Sequence, residues 1–216
     1  EYRETRDAIS HEWIDLFQHR GWIPMLVPNG LDDPALFLAT VGADAVILTG
    51  GNDIGPLAAE KVDTSASAAR DRTERQLLAG CIASRRPVLG VCRGMQMINA
   101  FFGGGIIRDL RSCSSVAEKH AGAVHEVTVV HPLFKEWAGA ETVTTNSFHN
   151  QGVTLGVLAP ELISAAQAGP VVEAVIHRTH PIMGVQWHLE RENPALVLDT
   201  AILDALEISF RTLVER

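Results

Sequence analysis

Apolar positions along the chain keep two rhythms: helical or unbroken runs in the first half, short β-rich runs in the second. Residues 4 to 19 set Ala8, Ile9, Trp13, Leu16 and Phe17 on one face at helical spacing, with Gly21 just past the end. "WIPMLVP" (22–28) reads as a short strand closed by a turn at "PNG". "ADAVILTGG" (43–51) and "PVLGV" (87–91) are unbroken apolar runs, the pattern of strands buried on both faces of a parallel sheet. Residues 70 to 84 repeat apolar positions at Leu77, Leu78, Cys81 and Ile82, and "MQMINAFFGG" (95–104) is a helix that its glycines terminate. "HEVTVV" (125–130), "ETVTTN" (141–146), "VVEAVIHR" (171–178) and "IMGVQWHLE" (182–190) follow as strands. A long helix after Pro194 carries Ala195, Leu198, Ile202, Leu206 and Phe210 on one stripe. Strand–helix alternation followed by strands predicts an α/β layered fold with an antiparallel extension.

Composition narrows the class. At 216 residues the chain is most simply one domain, residues 1–216, and 46% hydrophobic with 20% charged residues is an ordinary globular balance. Eighteen basic against twenty-six acidic residues leave a net charge of −8, which argues against a nucleic-acid or membrane-surface binder. No apolar run is long enough for a transmembrane helix, and "EYRETRDAISHEW" is charged from its start, unlike a signal peptide. Cys81, Cys92 and Cys113 form no CxxC pair and no disulfide framework, so free thiols in a reducing cytoplasm are expected.

One of these thiols has a special setting. "GVCRG" (90–94) has the form G-x-nucleophile-x-G between a buried strand and a helix, the arrangement of a nucleophile elbow. Small flanking residues allow a sharp turn, and the helix N-terminus supplies free N–H groups and a positive dipole end. An inert buried thiol is the competing reading, because free cysteine is among the most buried residue types. A nucleophilic thiol needs a base, and the base an orienting group. "GVQWHLE" supplies His188 and Glu190, which share a face if the segment is an extended strand. Whether His188 meets Cys92 is a tertiary matter.

Together, "ILTGGNDI", "GVCRGMQMIN" and "GVQWHLE" resemble the oxyanion, nucleophile and His-x-Glu motifs of class I glutamine amidotransferases, and more narrowly their γ-glutamyl hydrolase (peptidase C26-like) branch. "ARDRTE" (69–74), "GGGIIRDL" (103–110) and "NSFHNQ" (146–151) extend the resemblance through nearly the whole chain. It implies a flavodoxin-like sandwich with a mostly parallel central sheet, flanking helices and an antiparallel β extension. It implies Cys92 as nucleophile, His188 as general base and acid, Glu190 as orienting carboxylate, and the N–H groups of Gly51 and Arg93 as oxyanion hole. Gly50, Gln96, Ser147, Phe148 and His149 are the implied substrate contacts. The implied partner is a small γ-glutamyl substrate, cleaved through a γ-glutamyl thioester without a cofactor, with a homodimer or a synthetase complex as the implied assemblies. The family opens with a strand carrying a "GIT/SQR"-like segment, so a strand before Glu1 is expected.

"EWIDLF", "NSFHN" and "WHLEREN" tilt the likeness toward γ-glutamyl-CDP-amidate hydrolases of surface-polysaccharide modification. Such an anionic leaving group calls for cations at the mouth, with Arg70, Arg72, Arg93, Arg108 and Lys119 as candidates by position. A glutaminase subunit passing ammonia to a separate synthetase is the alternative, sharing the same three residues. Non-enzymatic members of the wider flavodoxin-like cysteine superfamily commonly have His directly after the elbow cysteine, where this chain has Arg93. The nine histidines tempt a metal reading through "HAGAVH", with His120 and His125 five apart and His131 following. No cysteine accompanies them at zinc spacing, so exposed or hydrogen-bonded histidines and no metal are expected.

Overall fold

Eight strands of the described residues form one curled mixed sheet, in the order β1-β2-β8-β7-β6-β3-β4, with β5 paired to β7. The fold comes from a computed structural model that describes residues 4, 6–55, 67–112 and 120–207. The strands are β1 (Val46–Leu48), β2 (Val88–Val91), β3 (Ala121–Val129), β4 (Thr142–Phe148), β5 (Val153–Thr154), β6 (Leu162–Ala168), β7 (Val171–His177) and β8 (Ile182–Val185). The helices are α1 (His11–Arg20), α2 (Pro34–Val41), α3 (Ala68–Ser84), α4 (Arg93–Phe101), α5 (Pro132–Ala138) and α6 (Leu196–Glu207). β1, β2 and β8 run parallel, and every other pairing is antiparallel. Among the described residues the antiparallel part is thus the larger.

Helices cover both faces. α1, α5 and α6 lay Trp13, Phe17, Phe134, Leu198 and Ile202 against Leu89, Val91, Met183 and Val185. α2, α3 and α4 lay Leu38, Leu77, Leu78 and Ile98 against Val46, Val88, Val175 and Ile182 on the other face. Burial on both faces is why β1 and β2 read as unbroken apolar runs rather than alternating ones. Among the described residues no helix is long and apolar enough to cross a membrane.

Several boundaries differ from the sequence reading, each for a local reason. The first helix starts at His11, with Ser10 extended at its N-cap, so Ala8 and Ile9 precede it. "WIPMLVP" forms no strand: Pro24 and Pro28 remove ladder donors, and Ile23, Met25 and Leu26 are exposed. α4 begins at Arg93 and ends before Gly103, earlier at both ends than 95–104. β8 stops at Val185, so His188 and Glu190 sit in the turn beyond it rather than on an extended strand. α2 and α5 are short helices opened by proline, and β6 is rich in alanine, so none gave a distinct period. Phe210 and Cys113 lie outside the described residues.

Candidate active site

Three neighbouring parallel strands deliver their loops to one place. Gly50 and Gly51 follow β1, Cys92 follows β2, and His188 follows β8, while Val91 and Val185 are paired at the last rung. This is the crevice outside the carboxyl ends of the strands, where open α/β sheets bind ligands.

Cys92 is held in a backbone conformation L-residues avoid, with φ +52° and ψ −104°. Strain of this kind costs about 1–3 kcal/mol and persists only where the surroundings impose it. They do so here: Cys92 N–H donates to Val185 O at 2.7 Å, and α4 starts at the next residue. Cys92 is 8% exposed, a nearly buried residue at a helix N-terminus. Cys81 is the contrast, a core thiol that burial pushes up to about 11 against a small opposing effect of Arg86.

Gly50 packs against both Cys92 and the imidazole. A Cβ at position 50 would lie 2.8 Å from His188 Cε1 and 3.7 Å from Cys92 Cβ, so only glycine fits there. His188 Nδ1 lies 2.6 Å from Glu190 Oε1 across the turn. Burial alone would push His188 down. Hydrogen bonding and charge from Cys92 and Glu190 outweigh it and raise His188 to about 9. The backbone of His188 is pinned as well, because its N–H donates to Asn146 Oδ1 and its carbonyl accepts from Asn146 Nδ2, both at 2.9 Å. Behind it Trp187 Nε1 donates to Asp199 Oδ1 at 2.8 Å, and Asn193 Nδ2 to Asp199 Oδ2 at 2.6 Å. Burial outweighs these bonds and pushes Asp199 up to about 6.

The other sequence-predicted residues divide. Arg93 opens α4, where a first-turn N–H has no intrahelical acceptor, and its buried guanidinium joins Asp71 and Glu74. Gly51 lies against the Arg70 guanidinium, which donates to Thr49 O at 2.7 Å and Gly50 O at 3.0 Å and so fixes the loop after β1. Gln96 is buried, and its Nε2 donates to Gln151 O at 3.1 Å and Gln186 Oε1 at 3.2 Å. Phe148 is half-exposed, its ring 5.9 Å from that of His188. Ser147 and His149 turn the other way: Ser147 Oγ donates to His120 O at 2.5 Å, and His149 is buried.

Sequence reasoning missed the bracing residues. Asn146 opened the quoted "NSFHNQ", and Arg70, Asp71 and Glu74 lay in "ARDRTE", but a motif does not say which neighbour it holds. Of the proposed mouth cations, Arg70, Arg93 and Arg108 are engaged inside the protein, Arg108 with Ile54 O and Gly55 O, and Lys119 lies outside the described residues. Arg191, not singled out beforehand, stacks 4.9 Å over the Phe148 ring beside the site.

The sequence matches the peptidase C26 family over residues 2–190. The chain belongs to that family. It is 32% identical over 196 residues to the γ-glutamyl-CDP-amidate hydrolase of Campylobacter jejuni, covering 89% of this chain and 84% of that protein. Identity to the γ-glutamyl-γ-aminobutyrate hydrolase of Escherichia coli O157:H7 is 26% over 218 residues, covering 91% and 84%. The fold is shared with the glutaminase domain of Trypanosoma brucei CTPS, solved with bound acivicin: TM-score 0.69, 17% identity, 92% and 88% of the two chains. This C26 chain is therefore a hydrolase-family member of the class I glutamine amidotransferase-like group.

The raised His188 has a measurable consequence in the C26 chain. A histidine raised above its ordinary 6.5 adds stability that is complete below pH 6.5 and lost as pH rises through about 9. Nuclear magnetic resonance titration of the ring should give a midpoint near 9, and a lower one in Cys92→Ala, which removes two of the raising causes. A wild-type midpoint at or below 6.5 would show that the imidazole lacks these partners.

Proposed function

We propose that the protein hydrolyses γ-glutamyl amides with Cys92 as nucleophile, His188 as base and acid, and Glu190 as the carboxylate that orients it. The observation that carries this reading is the strained Cys92 beside Gly50, which also packs against a His188 that is paired to Glu190 at 2.6 Å. The thiolate adds to the γ-carbonyl carbon, and the carbonyl oxygen becomes an oxyanion held by the N–H groups of Gly51 and Arg93. Preorganised donors of this kind contribute about 3–4 kcal/mol each to such a step. The carbon–nitrogen bond breaks as His188 gives its proton to the leaving nitrogen, and a γ-glutamyl thioester remains. Water then loses a proton to the same imidazole, attacks the thioester and releases glutamate and the free thiol. Phe148 forms a wall beside the imidazole, and Arg191 above it offers a cation to an anionic leaving group.

The similarity to the C. jejuni hydrolase makes γ-glutamyl-CDP-amidate the leading candidate substrate. Initial rates with γ-glutamyl-CDP-amidate, γ-glutamyl-γ-aminobutyrate and glutamine, measured as glutamate release, decide between leaving groups. The reading expects the nucleotide amidate to have the highest kcat/KM and glutamine the lowest. Glutamine turnover that appears only after a synthetase is added would replace it with the ammonia-supplying role.

A further inference from the structure

Behind the Ser147–His149 end of β4 lies a buried polar cluster that the proposed chemistry does not use. His120 precedes β3, His125 lies on it, His149 follows β4, and Glu173 is on β7. Glu173 is fully buried, and the three histidines are at least nine-tenths buried. His120 Nδ1 is 3.3 Å from Glu173 Oε1, His149 Nε2 is 3.7 Å from the same oxygen, and His125 Nε2 is 3.9 Å from Oε2. Neither nitrogen of His120, nor His149 Nε2, nor either oxygen of Glu173 makes a hydrogen bond of good geometry, the 3.3 Å approach of His120 Nδ1 to Glu173 Oε1 included.

The chemistry of these atoms calls for a cation. His149 Nδ1 lies 2.9 Å from Gln151 O, a group that can only accept, so Nδ1 carries the proton and Nε2 of the neutral ring is a lone pair. A lone pair therefore faces a carboxylate oxygen with no donor between them, an arrangement that is costly in a dry interior. Ligands around a tetrahedral zinc ion, with bonds of about 2.0–2.2 Å, stand roughly 3.3–3.6 Å apart. The donor atoms of His120, His149 and Glu173 all lie within 4.8 Å of one another, so bringing them onto an ion needs shifts of roughly 1 Å or less. The Nδ1–H bond from His149 to a backbone carbonyl is the usual support of a metal-bound imidazole. An imidazole binds a metal in its neutral form, so two such ligands and one carboxylate would bring a single negative charge, which suits a divalent ion, and this donor set favours zinc or ferrous iron over calcium or magnesium.

We propose that His120, His149 and Glu173 form a binding site for a divalent transition-metal ion, with His125 at its edge. The ion ties the start of β3 and the end of β4 to β7. Because successive residues of a strand face opposite ways, it sits on the other side of the chain from Phe148 and steadies the loop that Phe148 occupies. Glu173 is cross-strand neighbour to Gln186, whose N–H donates to Glu173 O at 2.8 Å, two residues before His188. The site is independent of the role of Cys92.

The test uses the full chain carrying Cys92→Ala, so that no active-site thiolate takes up the metal. After chelation and dialysis, titration with zinc should load one ion per chain. Zinc at a hundred times its Kd should raise the Tm by roughly 5–10 °C. Cobalt in place of zinc should give the visible bands of low-coordinate nitrogen and oxygen ligation without a sulfur charge-transfer band. Adding His120→Ala should weaken zinc binding by about 100-fold or more. Folded Cys92→Ala protein that takes up no zinc, or His120→Ala protein that binds it as tightly, overturns the site and leaves a cluster that shares protons. If His120→Ala does not fold, the cobalt spectrum of the unaltered cluster decides: bands of hydrated cobalt alone would overturn the proposal.

Discussion

Cys92→Ala is expected to abolish glutamate release while leaving the fold intact. Removing a nucleophile typically costs about 10⁴-fold or more in kcat, because the route through the thioester closes and only binding and oxyanion contacts are left. Above about pH 9 stability should change little, whereas at lower pH the lowered His188 midpoint removes part of the stability that the raised imidazole adds. The position is already strained at φ +52°, alanine relieves none of that, and deleting one sulfur atom at a nearly buried site leaves only a small void. Glutamate release from the leading substrate and a thermal melt on the same preparation separate the two effects. Turnover at roughly 1% of wild type or more, from correctly folded protein, would remove Cys92 from the reaction. Wild-type protein should also be inactivated by a glutamine-analogue electrophile, with the label on Cys92 rather than on the core thiol Cys81.

Gly94→Ala is expected to be strongly destabilising. α4 crosses β1 so closely that a Cβ at position 94 would lie 2.0 Å from Leu48 O, 2.7 Å from Leu48 C and 2.9 Å from Leu48 Cβ. Two of those atoms are backbone and cannot rotate away, so either the helix lifts or the strand moves. Overpacking of this kind costs about 1–3 kcal/mol and more where backbone must shift. A loss of roughly 3 kcal/mol lowers Tm by about 6–12 °C in a domain of this size, and the displaced Leu48 carries with it the loop to Gly50 and Gly51. Activity should therefore fall together with stability. Gly156→Ala is the control, since nothing lies within 4 Å of its added Cβ and its φ is ordinary. A Gly94→Ala protein that melts with wild type would mean that the helix does not press on β1 as described.

Gly94 also marks where reading the chain succeeds and where it stops. "GVCRG" identified a strand-to-helix turn with small residues on both sides, and β2 and α4 meet there. Glycine was required, but the partner that requires it, Leu48, lies 46 residues earlier and is named by no local pattern. His188 and Glu190 were expected to share a face because an extended strand repeats every two residues. They meet instead across a turn after β8 has ended. The pairing came from the short separation, while the conformation that makes it comes from Asn146 gripping the backbone from another strand.

Local signals determined the elements that bury one continuous apolar surface: β1, β2, β7, α3, α4 and α6 all lie where period and composition put them, to within a few residues. The elbow cysteine and the His-x-Glu segment were equally legible, because each depends on residues adjacent in the chain. Tertiary structure alone decided three things. Register between β2 and β8 put the two segments at the same end of neighbouring strands. Arg70 and Arg93, candidates for binding an anionic leaving group, were spent instead on holding the loop after β1 and on Asp71 and Glu74. His120 and His125, expected to be exposed or hydrogen-bonded, and His149, expected to contact substrate, were gathered around a buried Glu173, while His131 went to cap α5. The division follows range: period, propensity and turn chemistry act over a few residues and are written locally. A buried polar group's partner is set by how strands align across the sheet, which depends on the whole chain at once.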